Sequence, residues 1–287
     1  MKQLILNADD FGYTRGVNRA ILRAHREGIL TSATLMANGS AFEDAAEIAR
    51  QSPELGVGCH FVLVGGKSTA DPKKIPSLAR PDGSLPDSLA VFVAKVTAGR
   101  IREEEIEIEM KAQVTKIRDA GIEPTHIDSH KHTHAHPRVF RAVARAAREL
   151  GICRVRNPFE RLRDSWALAR ASGAFSVQLL AAAVARIPSG QFVRIQKEFG
   201  LVAPGSFFGL AVTGSVTSAA IEETLRIMPD GISEIMLHPG YNDADLAIAG
   251  TRLKSERERE LAALLDPQCR HAMDFENVRR VTFRELN

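Results

Sequence analysis

The chain has 287 residues, 44% hydrophobic and 25% charged, so it carries enough apolar material for a large core without disulfides or a structural metal. Its net charge of +3 is spread along the sequence, aromatic residues make up 6%, and no Lys/Arg block stands out, which argues against nucleic-acid binding. The three cysteines, Cys59, Cys153 and Cys269, are far apart with no CxxC pair, and a reducing cytoplasm is the expected location.

In chain order, Gln3–Asn7 reads as a short buried strand ending in polar residues, too short an apolar run for a signal peptide. Gly16–Glu27 has helical spacing (Val17, Ala20, Ile21, Ala24) and stops at Gly28. A strand at Ala33–Ala37, a helix from Phe42 to Gln51 and a strand at Gly56–Leu63 follow, the last with His60 near its C-terminal end. Residues 65–88, rich in Gly, Pro, Ser and Lys, read as a long loop over one face, and these together with residues 157–210 are expected to shape the substrate cleft.

A charged helix is predicted at Arg102–Ala120, a strand at Thr125–Ser129, a helix at Arg138–Leu150 led by Pro137, and a strand at Ile152–Arg156. Between 160 and 205 an alanine-rich helix precedes Gln191–Phe199, a strand or loop. Its most apolar stretch, Phe175–Ile187, is too short to span a bilayer and carries Arg186, so no integral membrane segment is expected. Ser233–His238 reads as a late strand, Thr251–Leu265 as a charged helix, and the region near Arg280–Phe283 as a final strand.

Strand and helix alternate without internal repeats, which predicts one α/β domain over residues 1–287 with a parallel sheet. Asp9/Asp10, His60, His130 and His238 all fall at C-terminal ends of predicted strands. Those ends converge in a barrel, and no glycine-rich dinucleotide fingerprint follows the first strand. The expected fold is a distorted, TIM-like (β/α) barrel that need not reach eight strands.

Adjacent carboxylates on a strand point to opposite faces, so one of Asp9 and Asp10 can ligate a cation while the other accepts a proton; a cap or turn role is the plainer alternative. His60 alone in an apolar strand reads as a core histidine and gains meaning only from its partners. The segment from His126 to His136 holds five of the nine histidines, and period-two spacing shares a face if the strand continues. An open catalytic metal site uses three protein ligands plus water. His130 is then the best ligand, His132 and His134 contact substrate or orient ligands, Asp128 orients one, and His126 and His136 are structural.

His238 reads as a general acid or a stabiliser of developing charge. One Asp with His60 and His130 makes a mixed oxygen/nitrogen site for one divalent ion, zinc-like in its ligands, since magnesium prefers more oxygens. Such a set fits amide hydrolysis by metal-activated water. Arg156, in Arg-Asn-Pro after a strand, reads as a substrate contact or as a salt bridge at a helix start.

The motifs NADDFG, GCHFVL, THIDSHKHTHAHP and EIMLHPG, in that order from Asn7 to His238, resemble the YdjC-like carbohydrate deacetylases. The resemblance implies hydrolysis of an N-acetyl group from an amino sugar, either a chito-oligosaccharide or a glycolipid-linked sugar. It also implies one divalent metal, zinc or magnesium, on Asp10, His60 and His130, with Asp9 as general base, His238 near the reacting centre, and often a homodimer. Another barrel metallohydrolase, such as a phosphodiesterase, and an inactive metal- or sugar-binding module are the competing readings.

Overall fold

The computed structural model describes residues 1–173 and 188–287. The expected alanine-rich helix falls largely on residues 174–187, outside the described residues.

Seven strands form one parallel sheet: β1 (Lys2–Phe11), β2 (Ser32–Leu35), β3 (Gly56–Phe61), β4 (Ile127–Ser129), β5 (Ser206–Phe208), β6 (Gly231–Leu237) and β7 (Val278–Arg280). The order is β4-β3-β2-β1-β6-β5, with β7 on the first residues of β1. Single parallel bridges carry the curl onward from β4, Ile127 to Val155 and Arg154 to Val202. Val202 lies just before β5, the opposite edge. The result is the expected distorted barrel, with its seam only partly hydrogen-bonded. The predicted strand at Ile152–Arg156 survives only as these two bridges.

Eleven described helices pack outside: α1 (Arg15–Arg26), α2 (Phe42–Arg50), α3 (Leu89–Thr97), α4 (Glu103–Asp119), α5 (Pro137–Glu149), α6 (Leu162–Ser172), α7 (Ser189–Glu198), α8 (Ser218–Ile227), α9 (Ala244–Ile248), α10 (Ser255–Leu265) and α11 (Pro267–Phe275). In α1 the Thr14 hydroxyl accepts from the Val17 N–H, and Val17, Ala20, Ile21 and Ala24 form one buried face. Segment Gln191–Phe199 belongs to α7 rather than to a strand, because Phe192 and Ile195, three apart, are its buried pair. Helix α3 was hidden by its valines, which favour strands locally. Its buried residues, Phe92 and Val96, are four apart, and Ser88 caps it. No described helix is long and apolar enough to cross a membrane.

Alternation along β1 separates the helix side from the barrel interior. Leu4, Leu6 and Ala8 join the main core under the helices. Ile5 points the other way and forms an inner floor with Val281, Phe283 and Leu286. His126 stacks on Phe283, ring centroids 3.5 Å apart, and a Cβ on Gly58 would meet that imidazole at 2.5 Å. The absent side chain on β3 is what admits the ring. Above this floor, on the same face as Ile5, come Asn7 and Asp9.

Residues 65–88 are strapped to α4 by two carboxylates. Glu105 accepts from the N–H groups of Ser77 (2.7 Å) and Leu78 (3.1 Å), and Glu109 from those of Thr69 (2.8 Å) and Ala70 (3.0 Å).

Candidate active site

The site begins with a fault in β1. Its register with β2 shifts between Ala8 and Phe11, and Asp10 has a φ of 65°, a left-handed conformation that Asp and Asn tolerate better than most residues. The alternation expected to send Asp9 and Asp10 to opposite faces therefore fails there. Both line one cleft at the C-terminal end of the strands.

Asp10 Oδ1 lies 3.1 Å from His130 Nδ1 and 3.4 Å from His60 Nε2. Two donors each about 2.1 Å from a shared cation stand about 3.0–3.4 Å apart, so the donors present fit a divalent ion. Asp10 Oδ2 is taken by Arg257 at 2.6 Å, leaving Oδ1 for the ion. His60 Nδ1 contacts Asp128 Oδ1 at 2.7 Å, which keeps a proton on Nδ1 and turns Nε2, the nitrogen an ion would take, toward Asp10.

After His130 the chain does not continue as a strand. Lys131 and His132 have φ of 55° and 50° within a short 3-10 turn, His130–Ala135, so the cluster does not share one face. His132 lines the cleft with its ring 5.9 Å from Phe207. His134 is buried and its Nδ1 contacts Ser129 Oγ at 2.5 Å; among the expected substrate contacts it is one that the fold places behind the cleft wall. His136 reaches the rim, with Nε2 3.1 Å from Thr97 Oγ1.

Arg156 is placed differently from the expected substrate contact. It is 0% exposed. Its guanidinium donates to both oxygens of Asp9 (2.7 and 2.6 Å), pairs with Asp128 Oδ2 at 2.7 Å and donates to Glu234 Oε1 at 2.7 Å. The salt-bridge alternative is the one realised, inside the barrel. Burial alone would raise the Asp9 carboxyl, but Arg156 outweighs it and holds Asp9 ionised, well below the usual carboxylate range. Burial lifts Glu234 to about 8, only partly countered by Arg156.

His238, at the end of β6, also lines the cleft. Burial lowers it to about 4 against the pull of Asp9 and Asp10, so it rests as a neutral imidazole. For His60 the balance is reversed: burial lowers it, but Asp128 and Asp10 raise it to about 10. A cation must therefore displace a proton from His60 at neutral pH. The expected result is that metal affinity rises about tenfold per pH unit between pH 7 and 9 through this one proton. Calorimetric titration of zinc in buffers of different ionisation enthalpy checks it, and a pH-independent affinity with no proton release would sink the idea.

Arg257 and Glu260, both buried on α10, were missed by sequence reasoning. Their signal was present, because they fall on the helix face marked by Leu261 and Leu264. Charges on an apolar face announce buried partners.

The cleft measures about 860 Å³, and its walls are mostly apolar, among them Leu89, Val93, Pro158, Leu210 and Leu253. Helix α3 contributes the first two. Of the two segments expected to shape the cleft, residues 65–88 contribute no lining residue, whereas residues 157–210 contribute Pro158, Pro188 and Leu210.

The profile of the family described as YdjC-like protein matches residues 3–274. The chain is 37% identical to a carbohydrate deacetylase of Geobacillus stearothermophilus, covering 98% of this chain and 97% of that one. A chitooligosaccharide deacetylase of Salmonella typhimurium is 43% identical over 150 residues, 52% of this chain and 57% of its own. A solved structure from Enterococcus faecalis V583, provisionally named for cellobiose-phosphate cleavage, superposes with a TM-score of 0.80 at 24% identity, covering 98% and 97% of the two chains; at that identity the likeness speaks for the fold.

Proposed function

We propose that this chain, which belongs to the YdjC-like protein family, is a metal-dependent carbohydrate deacetylase that releases acetate from an N-acetylated amino sugar. The observation that carries the reading is the convergence of Asp10, His60 and His130, donors for one cation, beside an ionised, clamped Asp9. A divalent ion held there would polarise the amide and acidify water. The two-His, one-carboxylate donor set favours zinc over magnesium.

Asp9 is the base in this reading. Arg156 fixes both its oxygens in place, and Oδ1 accepts from Asn7 Nδ2 as well (3.1 Å), which leaves Oδ2 the oxygen with acceptor capacity to spare. Neutral His238 takes up, on its cleft-facing nitrogen, the proton that Asp9 removes from the water and delivers it to the leaving amine. A two-metal phosphodiesterase fits less well. The second trio close enough to hold an ion, Asp9, His60 and Asp128, already has two of its members bound to the Arg156 guanidinium.

The aliphatic and proline walls suit an apolar aglycone better than a run of sugar rings, so a lipid-linked amino sugar is favoured over a free chito-oligosaccharide. Acetate release is measured from diacetylchitobiose and from a long-chain alkyl N-acetylglucosaminide, with zinc loaded. The alkyl glycoside should be the better substrate by about tenfold or more in kcat/KM, roughly what partial burial of its chain supplies. Asp9→Asn should keep the metal and lose roughly 10²- to 10⁴-fold in kcat. No acetate from either compound with metal bound would remove the deacetylase reading, and full activity in Asp9→Asn would remove Asp9 as base.

A further inference from the structure

We infer that Glu260 is a positioning residue, holding the His238 imidazole by Nδ1 so that Nε2 faces the reacting amide. The inference rests on the deacetylase reading for its chemistry and on α10 for its geometry. Glu260 is 0% exposed on a helix whose neighbours Glu258 and Arg259 are solvent-exposed. A carboxylate is buried so completely only where it is needed by partners.

Three backbone N–H groups are those partners. Oε1 accepts from the N–H groups of Gly214 (2.7 Å) and Val216 (3.4 Å), and Oε2 from the N–H of His238 itself (2.5 Å). The same Oε2 stands 3.9 Å from His238 Nδ1, a ring nitrogen that is buried with no hydrogen-bond partner. A buried, unpaired ring nitrogen is unfavourable, and a small rotation of the imidazole brings Nδ1–H onto Glu260. Nε2, on the opposite edge of the ring, is then left as the working atom. The carboxylate also stabilises the imidazolium when Nε2 takes up a proton, offsetting the burial that otherwise keeps His238 neutral.

One helix thus serves both halves of the site. Arg257 fixes the cation ligand Asp10, and Glu260, one turn on, fixes the histidine facing it. The loop 209–216 is tied to the same carboxylate, and through Leu210 and Thr213 it lines the cleft.

The test is a double-mutant cycle on the zinc-loaded full chain with Glu260→Gln and His238→Ala, reading kcat, KM and metal content. Glu260→Gln should lower kcat roughly 10²-fold with KM and zinc content unchanged, and the double variant should be no slower than His238→Ala alone. A kcat within about twofold of wild type, or losses that multiply in the double variant, would overturn the inference. Glu260→Gln puts an amide N–H₂ against backbone donors and can fail to fold, so the wild type is measured as well. Proton–nitrogen NMR of ¹⁵N-histidine-labelled protein should show His238 protonated on Nδ1; protonation on Nε2 with Nδ1 bare would overturn the inference. Wild type that releases no acetate removes the deacetylase reading, and the tautomer still decides the contact.

Discussion

Asp10→Asn should abolish zinc binding and acetate release together while leaving the fold intact. The substitution is chosen for its backbone. At a φ of 65°, asparagine is at ease where alanine or leucine would be strained, so the bulge in β1 survives and only the charge changes. The cation then loses its single anionic donor, and Arg257 loses the carboxylate it holds at 2.6 Å. Loss of charge stabilisation worth several kcal/mol predicts a fall of about 10³-fold or more in kcat/KM. Metal content by mass spectrometry, circular dichroism and acetate release measure the three parts. A variant that keeps stoichiometric zinc and works normally would mean that the ligand set is wrong.

Arg156→Met should leave the cleft's shape alone and damage what lies beneath it. Methionine replaces much of the volume but none of the charge. It strands Asp9, Asp128 and Glu234 around a position that is 0% exposed. Removing one partner of a buried ion cluster costs roughly 3–5 kcal/mol, which for a domain of this size is a drop in Tm on the order of 10 °C. The sign with pH follows from the carboxylates. Asp9 is held ionised by Arg156, so the stability that Arg156 confers is present above the ordinary carboxylate range and fades as pH falls through it. The gap in Tm between variant and wild type should therefore narrow at acid pH. Equal Tm values near pH 7 would show that the cluster contributes nothing net.

How much of this was legible in the chain depended on the kind of signal. His60, His130 and His238 were readable because each interrupts or ends an apolar run, and a parallel barrel brings such ends together. One carboxylate with His60 and His130 followed from that, and the choice of Asp10 over Asp9 came from the family resemblance. Asp10 was readable as chemistry but not as geometry, because a bulge depends on where β2 pairs, and that pairing is not written in β1. Arg156 was left between a substrate contact and a salt bridge for a related reason: a side chain after a strand can turn inward or outward, and only the three carboxyl groups converging on it from β1, β4 and β6 decide the matter. His134 faces Ser129 behind the cleft wall because the turn at Lys131 and His132 ended the alternation. Helices α3 and α7 were lost to β-branched residues and short length, where tertiary packing overrides local preference.

The barrel's inner floor has a consequence for the order in which the molecule can assemble. Strand β1 is made before its pairing partners, of which only β2 follows closely; β6 and β7 join it through Gly231 and Val278. Phe283 and Leu286, which close the cup beneath His126 and Arg156, come later still. Until that segment has been made, the charged interior lacks its apolar floor. Assembly of the site thus waits for segments far apart in the chain, and the many contacts between them make folding slow by topology. A growing chain must meanwhile keep an apolar β1 without its neighbours, a window in which strand-to-strand aggregation competes with folding.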